Sequence, residues 1–227
     1  AGSSARSIWA RTAANGNTIH LISSYSDTLS TGGNISVNGV IRPTTYSRSL
    51  DGGLTWTDSL IVLPGYDSTR RLSGSADEYA ITAKGNTVAI VMGGLGDDVT
   101  LWKSIDNGDN WSVTIVDEFP YAPFTKKLTV DTPFTNDGTV DVIIDNNDQV
   151  HVFWGLGRVF DNDTSDESFF FFPAQAGIVH WTESNPNNAA VVATIPDEDL
   201  SGTLDIEPGT FAALQDGNIP QNVAGVA

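Results

Sequence analysis

Two segments of this chain share one sequence pattern: Ser49-Leu50-Asp51-Gly52-Gly53-Leu54-Thr55-Trp56 in the first, and Ser104-Ile105-Asp106-Asn107-Gly108-Asp109-Asn110-Trp111 in the second, 55 residues later. Both fit Ser-x-Asp-x-Gly-x-Thr/Asn-Trp. Gly53 and Gly108 suit the positive φ of a tight hairpin, while Asp51 and Asp106 offer acceptors for the free amides of a turn. We therefore predict a hairpin corner at each segment, with the tryptophan ring buried on the returning strand.

An internal repeat surrounds these two corners. A polar turn runs into a β-branched, alternating strand at residues 14–22 and 83–91, and more loosely at 145–153. The copies begin 69 and 62 residues apart, and each has one candidate strand before it and two after it. The sequence therefore predicts three units of four strands, with spacing that exceeds the roughly 40 to 50 residues of a usual propeller blade.

The corners and the repeat together resemble the Asp-box, or sialidase-like BNR, β-propellers. The resemblance implies an all-β propeller with about three four-stranded blades, at residues 5–66, 75–120 and 138–196, and a connector at 197–227. In that family the corners lie on the periphery, away from the ligand, so the resemblance implies purely structural roles for one set of residues: Ser49, Asp51, Gly53, Trp56, Ser104, Asp106, Gly108 and Trp111. The third unit departs from the pattern at residues 181–188, where we expect a looser turn.

Propellers close with about four to eight blades. We therefore expect these three to belong to a longer protein or to pair with another chain. The alternation of corner-bearing blades with acidic connectors resembles large secreted proteins of the type IX export system, which implies an extracellular or cell-surface location.

The charge is strongly negative and unevenly distributed. Residues 1–127 carry 12 acidic and 10 basic side chains, whereas residues 128–227 carry 16 acidic side chains and one basic one, for a formal net charge of −17 overall. Such a field disfavours nucleic acid and anionic lipid as partners, and no apolar run is long enough for membrane insertion. The absence of cysteine excludes disulfides, thiolate metal sites and cysteine nucleophiles.

Two insertions mark the face on which we expect a ligand. They fall at 27–39 in the first unit and 156–177 in the third, both between the second and third strands of a blade. In a propeller this connection opens opposite the corners, and long loops on a rigid scaffold are a usual place for binding.

The third-unit insertion contains Arg158 and the run Phe169 to Phe172. Alternate residues of a strand face opposite sides, so the run offers Phe170 and Phe172 either as an aromatic platform for a sugar or protein, or as packing for further blades.

A calcium site is a second hypothesis for the same insertion. Asp161, Asp163, Ser165 and Glu167 alternate oxygen donors in a way that could wrap a hard cation, although the glycine and the final glutamate of an EF-hand loop are not in their positions. A solvated acidic loop is the alternative. No other cofactor is predicted.

The starts of the first strands should also meet the ligand face, because first strands line the channel of a propeller. Arg6, Asp77, Glu78 and Asp141 lie at or near these predicted starts and are ligand-binding candidates by position.

Evidence for catalysis is weaker than evidence for binding. The resemblance to sialidases implies an arginine cluster, but Ile41-Arg42-Pro43 falls before a third strand and lacks a residue of the family's Arg-x-Pro motif. His20, His151 and His180 lie in predicted strands and do not form a metal set. We therefore predict a non-catalytic module that binds a glycan or protein. The alternatives are a sialidase-like glycoside hydrolase whose catalytic residues lie mainly in other blades, and a structural spacer of a surface protein.

Overall fold

The computed structural model describes residues 6–26, 36–74, 78–171 and 177–194. The regular structure within these ranges consists of strands: β1 (Arg6–Asn15), β2 (Thr18–Ser26), β3 (Ser36–Val37), β4 (Val40–Ile41), β5 (Thr44–Ser49), β6 (Asp58–Ile61), β7 (Tyr79–Lys84), β8 (Thr87–Met92), β9 (Val99–Ser104), β10 (Ser112–Asp117), β11 (Phe134–Ile144), β12 (Val150–Phe160), β13 (Phe170–Phe171), β14 (Gly177–Thr182) and β15 (Ala190–Thr194). The connector predicted at 197–227 lies outside the described residues.

Twelve of these strands form three antiparallel sheets, and each sheet follows the chain order. Blade one is β1-β2-β5-β6, blade two is β7-β8-β9-β10, and blade three is β11-β12-β14-β15. Strand β13 pairs with the end of β12, and β3 and β4 form a separate hairpin. The first strands of neighbouring blades contact each other, β1 against β7 and β7 against β11. Three four-stranded meanders whose first strands gather at one axis are the architecture of a partial β-propeller.

Blade two is buried on both faces because its strands are apolar on both sides. Ile90, Met92 and Trp102 face blade one, where they pack around Ile22 and Tyr46. On the other face, Ala89, Val91 and Leu101 pack against Val152 and Trp154 of blade three. The continuous apolar run Val88–Met92 is typical of a strand covered on both sides, and this burial fixes the distance between blades.

The two predicted hairpin corners share one hydrogen-bond scheme. In the first, the Asp51 carboxylate accepts bonds from the Thr55 backbone N–H at 2.8 Å and the Thr55 hydroxyl at 2.6 Å. The Ser49 hydroxyl donates to Asp51 at 2.9 Å and accepts the Gly53 N–H at 2.8 Å. Gly53 has a φ of +91°.

The second corner repeats this scheme with small changes. Asp106 accepts the Asn110 backbone N–H at 2.8 Å and the Asn110 side-chain amide at 2.7 Å, while Ser104 bridges Asp106 and Gly108 at 2.8 Å each. Gly108 has a φ of +92°. The serine, aspartate and glycine of the pattern therefore occupy equivalent places in both corners.

The tryptophans of the two corners differ in burial. Trp111 is partly buried and meets the Tyr46 ring of blade one edge-on, with centroids 5.1 Å apart. Trp56 is 40% exposed, which corrects the expected burial of its ring. The physical reason is positional: Trp111 packs against the preceding blade, and among the described residues no sheet stands on the corresponding side of blade one.

The first strand of blade three begins earlier than expected. The alternation of the sequence predicts a strand from Val140, whereas β11 begins at Phe134. A register shift between Asn136 and Val140, together with a φ of +89° at Gly138, interrupts the alternation. Three residues of β11, 137–139, stand opposite residue 155 alone, and such a bulge hides the strand from a period-two pattern.

Candidate functional site

One face of the propeller carries the starts of the first strands and the connections between second and third strands. We call it the connection face; the two hairpin corners lie on the opposite, corner face. Residues 27–35 and 172–176 of the two predicted insertions lie outside the described residues, as do the candidates Asp77 and Phe172. Arg6 is the first residue of β1, and its side chain also lies outside the described part of the structure.

A buried arginine holds two carboxylates at this face. The Arg71 Nη1 lies 3.2 Å from Oδ2 of Asp97 and 3.5 Å from Oε2 of Glu78. The Arg71 side chain is 9% exposed, whereas those of Asp97 and Glu78 are 17% and 22% exposed, so the acids face outward from the guanidinium. A Cβ on Gly94 would stand 3.0 Å from Glu78 Oε2 and 3.2 Å from Arg71 Nη1, so glycine makes room for this cluster.

Blade three fixes the loop of blade two that carries Asp97. The Asn136 side chain accepts the Gly94 N–H at 2.7 Å and donates to the Asp97 carbonyl at 2.8 Å. The Thr135 hydroxyl accepts the Gly96 N–H at 2.8 Å. The bulged start of β11 thus positions an acidic side chain on the neighbouring blade.

Burial raises the pKa values of two acids near this face, Asp97 and Asp137. Burial raises the pKa of Asp97, and the positive charge of Arg71 offsets only part of that effect. Burial also raises the pKa of Asp137, against bonds from Thr139 that favour the charged form. A carboxyl whose pKa is raised can hold or release a proton closer to neutrality, which is a property of acid–base groups as well as of structural pairs.

Two glycines in the second half of β12, Gly155 and Gly157, leave its backbone uncovered by their own side chains. The Asp137 carboxylate lies over Gly155, where a Cβ would overlap it, and the Phe171 ring lies against Gly157 at a hypothetical Cβ distance of 2.5 Å. The two glycines thus let an acid and an aromatic ring approach the backbone of one strand.

An exposed aromatic patch lies on the other side of β12, and we define it by Phe134, Arg158, Phe160 and Phe170. Phe170 is 61% and Phe134 51% exposed, whereas Phe171, which is 38% exposed, lies on the side of Gly157 and Val159. The Arg158 guanidinium carbon stands 3.8 Å from the centroid of the Phe134 ring, and the Phe160 and Phe170 rings are 6.0 Å apart. Large aromatic rings exposed side by side are a mark of a binding surface.

The phenylalanine run is divided between this patch and the core. Phe169 is partly buried and meets Phe124 edge-on at 5.6 Å, beside Phe119 and Val159. Phe170 and Phe171 form β13 and remain exposed. The run therefore supplies one ring to a small core and two to the surface.

The residues predicted to hold calcium are spread out by their own hydrogen bonds. Asp161 is 1% exposed and accepts N–H groups of Leu128 and Asp163 at 3.2 Å each. Asp163 accepts both Ser165 donors, and Glu167 pairs with Lys127 at 3.2 Å. No group of three or more histidine or acidic side chains within the described ranges is arranged to hold a metal. Calcium binding stays a prediction, and a melting curve with and without a chelator tests it.

Of the first-strand candidates, Glu78 joins the Arg71 cluster and Asp141 does not. Since β11 begins at Phe134, Asp141 lies in the second half of that strand, where it pairs in register with Phe153. Sequence reasoning did not select Arg71, Asp97 or Asn136. The available signal was Gly93-Gly94-Leu95-Gly96-Asp97, a glycine-rich turn that ends in an acid at the same connection as the two insertions.

The fold and this face define the class of the protein as an all-β, propeller-type chain. No family model matches the chain, and no curated protein sequence matches it. No helix in the described part of the chain has the length and apolar character needed to cross a membrane.

Three solved structures illustrate what the chain is similar to. Inulosucrase from Halalkalicoccus jeotgali bound to kestose has a TM-score of 0.45 at 11% identity over 86% of this chain and 54% of that one. An α-L-arabinofuranosidase from Clostridium thermocellum has a TM-score of 0.39 at 13% identity, covering 86% and 75%. Trypanosoma rangeli sialidase in complex with sialic acid has a TM-score of 0.38 at 17% identity, covering 83% and 30%. The chain thus spans about half of the inulosucrase and about a third of the sialidase.

Proposed function

We propose that this chain is a non-catalytic binding module that takes a neutral glycan on its aromatic patch. One observation carries the proposal: two phenylalanine rings, Phe134 and Phe170, stand 51% and 61% exposed on the same side of the sheet as Arg158 and Phe160, at the end of the blade where the connections open. Water-exposed aromatic area is costly unless a ligand covers it, and a sugar ring offers an apolar C–H face that fits such a surface.

The surrounding polar groups suit the hydroxyls of a sugar. Arg158 donates to the Thr132 carbonyl at 3.3 Å and stacks on Phe134, which holds its guanidinium at the edge of the patch. The Arg158 guanidinium donates hydrogen bonds, and nearby carboxylates accept them. Together these groups can orient the hydroxyl groups of a bound sugar.

The charge of the chain supports a neutral ligand over an acidic one. Arg158 is the only basic side chain among residues 128–227, against 16 acidic ones. Asp163 and Asp166 lie in the exposed loop that leads into the patch, where Glu167 is paired with Lys127. A polyanionic glycan would meet repulsion over a distance of about one Debye length, roughly 10 Å at moderate salt.

The finer family assignment is part of this proposal. The equivalent bonding of Asp51 and Asp106 supports the assignment of the corners as Asp boxes. A secreted or cell-surface setting, type IX export, and further blades from the same protein or another chain remain proposals that the resemblance implies. The intact mass of the native polypeptide tests the last of these.

Binding to an array of neutral oligosaccharides, with sialylated and uronate-containing glycans beside them, tests the main proposal. For the strongest neutral ligand, calorimetry should show affinity about tenfold weaker or more in Phe170→Ala, a loss of about 1.4 kcal/mol. Leu54→Ala is the matched control, because Leu54 is 86% exposed on the corner face and should change nothing. Equal loss in both variants, or no binding on the array, would overturn the proposal.

The Arg71 cluster favours a second candidate function, glycoside hydrolysis. Glu78 and Asp97 both lie within 3.5 Å of one guanidinium nitrogen, and burial raises the pKa of Asp97, as a general acid requires. Glycosidases use two carboxyl groups about 5 to 10 Å apart. Hydrolysis would be established if the wild type turns over aryl glycosides and the variants Glu78→Gln and Asp97→Asn do not, with melting temperatures unchanged. Absence of turnover across a panel of aryl glycosides would eliminate this candidate for the chain.

A further inference from the structure

Two histidines meet on the sheet face of blade three that points away from blade two. We call this surface the outer face and define it by Asp141, Ile143, His151, Phe153 and His180. In the register of the sheet, Asp141 lies beside Phe153, and Phe153 lies beside His180. Ile143 lies beside His151 and is 43% exposed.

The histidines contact each other directly through ring nitrogens. The Nδ1 of His151 lies 2.9 Å from Nε2 of His180, and the two ring planes differ by 11°. The Phe153 ring stacks on His180 with centroids 4.7 Å apart. At 2.9 Å the two nitrogens share one proton as a hydrogen bond.

Blade one contains an equivalent pair that cannot respond to protons in the same way. His20 Nδ1 lies 2.7 Å from the Tyr46 hydroxyl, and both side chains are fully buried beneath blade two. The positions correspond: His20 pairs in register with the residue two beyond Tyr46, and His151 with the residue two beyond His180. Blade three thus replaces a hydroxyl with a second titratable ring.

The number of protons determines whether the contact can persist. Asp145 Oδ2 lies 3.6 Å from His151 Nε2 and favours a proton there, so His151 Nδ1 accepts the N–H of His180 Nε2. A first added proton goes to Nδ1 of His180, and the contact survives as a charged donor with a neutral acceptor. A second added proton must go to Nδ1 of His151, which places two N–H groups of two cations against each other.

We propose that His151 and His180 form a proton-operated latch on the outer face, closed with at most one added proton and opened by the second. Opening separates the rings, breaks the stack with Phe153, and places two positive charges side by side on this face of blade three. The latch does not depend on the proposed glycan site, which lies on the connection face.

The neighbouring charged groups are compatible with two separate steps. Asp141 shares this face from β11, and Asp145 of the β11–β12 turn lies 3.6 Å from His151 Nε2. Asp148 follows in that turn, Glu183 follows β14 and pairs with Lys103 of blade two, and β15 has no titratable residue. Lys84 of blade two donates to the Asp145 carbonyl and lies 3.7 Å from Asp148. The acids favour a first added proton, while the repulsion between the two rings opposes the second.

The direction of the His180 shift agrees with this geometry. Burial, and then the charge of His151, lower the pKa of His180 below its ordinary value. A pair that interacts in this way titrates in two macroscopic steps that belong to the pair rather than to either ring.

Nuclear magnetic resonance of the imidazole nitrogens between pH 8 and pH 4 tests the proposal on the wild-type chain. We expect the His180 signals to change in two steps, the second below the ordinary histidine value of about 6.5. The phenylalanine signals of residue 153 should shift with the second step only. A single step of the His180 signals near the ordinary value, with no change at Phe153, would overturn the latch.

Two variants separate the latch from a merely structural contact. In His180→Phe, the Phe153 signals should no longer shift in acid. In His180→Gln, which keeps a hydrogen-bond donor beside His151, the acid shift of the Phe153 signals should also disappear, while the melting temperature at pH 8 stays close to the wild type. A Phe153 shift of wild-type size in either variant would contradict the proposal.

Discussion

Lys103 and Glu183 form an ion pair that joins blade two to blade three, with Nζ 2.7 Å from Oε2. Glu183 also accepts the Val150 N–H at 2.9 Å, so its carboxylate connects three segments. The pair repeats a contact one blade earlier, where Arg48 Nη2 lies 2.8 Å from Asp109. In both cases the cation is at the end of a blade's third strand, and the acid is in the corner region of the next blade.

Lys103→Met should destabilise the chain by about 1–2 kcal/mol, between the values for exposed and buried ion pairs, because both side chains are only 19% to 25% exposed. Urea unfolding of Lys103→Met, Glu183→Gln and the double variant gives the coupling energy between the two groups. Additive losses in the double variant would show that the pair does not hold the blades together.

Arg48→Met should cost more, about 2–3 kcal/mol, because Arg48 is itself buried and has several partners, although the side chains of Asp58 and Asp109 are 29% and 64% exposed. Arg48 donates to the Asn107 carbonyl at 2.7 Å and pairs with Asp58 at 2.7 Å as well as with Asp109. Arg48→Lys keeps the charge but loses the fork of donors, so denaturant unfolding should place it between the wild type and Arg48→Met. A loss in Arg48→Met no larger than that of Lys103→Met would contradict this ranking.

The two corner glycines provide a matched pair of substitutions. Gly53 and Gly108 have φ values of +91° and +92°, so alanine brings the same backbone strain to both. A Cβ on Gly53 meets only Ile19 Cδ1 at 3.5 Å, whereas one on Gly108 would overlap the Tyr46 hydroxyl of blade one. Gly108→Ala should therefore be about 1–3 kcal/mol less stable than Gly53→Ala by denaturant unfolding. Equal losses would mean that the approach of Tyr46 imposes no constraint.

The corners show which features a sequence predicts well. Ser49, Asp51 and Gly53 act within eight residues, so their spacing alone encodes the turn that the structure contains. The repeated strands around the corners likewise predict blades. Successive side chains of a strand point to opposite faces of the sheet, so an apolar residue at every second position indicates one buried face, while the other face is exposed or also buried.

The candidate site depends on contacts that no local pattern encodes. Arg71, Glu78 and Asp97 come from three segments, and Asn136 from a fourth holds the loop of Asp97 across a blade boundary. The start of β11 was missed because its bulge interrupts alternation at Gly138. Arg158 was a binding candidate because it lies in the third-unit insertion. Its stacking on Phe134, however, follows from the pairing of β11 with β12.

The corner aspartates should control stability in acid. Bonds from Thr55 lower the pKa of Asp51 to about 2, and bonds from Asn110 lower the pKa of Asp106 to about 2. A carboxylate whose pKa is lower in the folded than in the unfolded chain stabilises the fold above the unfolded value. That contribution is lost as pH falls through about 4 toward 2, since the unfolded chain then binds more protons.

Asp51→Asn and Asp106→Asn should each flatten the decline in melting temperature between pH 5 and pH 2, and the double variant should flatten it further. Asn cannot be protonated in this range, so each variant begins less stable at pH 6 and converges on the wild type in acid. Asp131→Asn, an exposed acid outside the corners, is the control and should leave the slope unchanged. Melting curves in steps of half a pH unit measure the slope, and parallel curves for wild type and corner variants would show that the corner carboxylates do not set the acid limit.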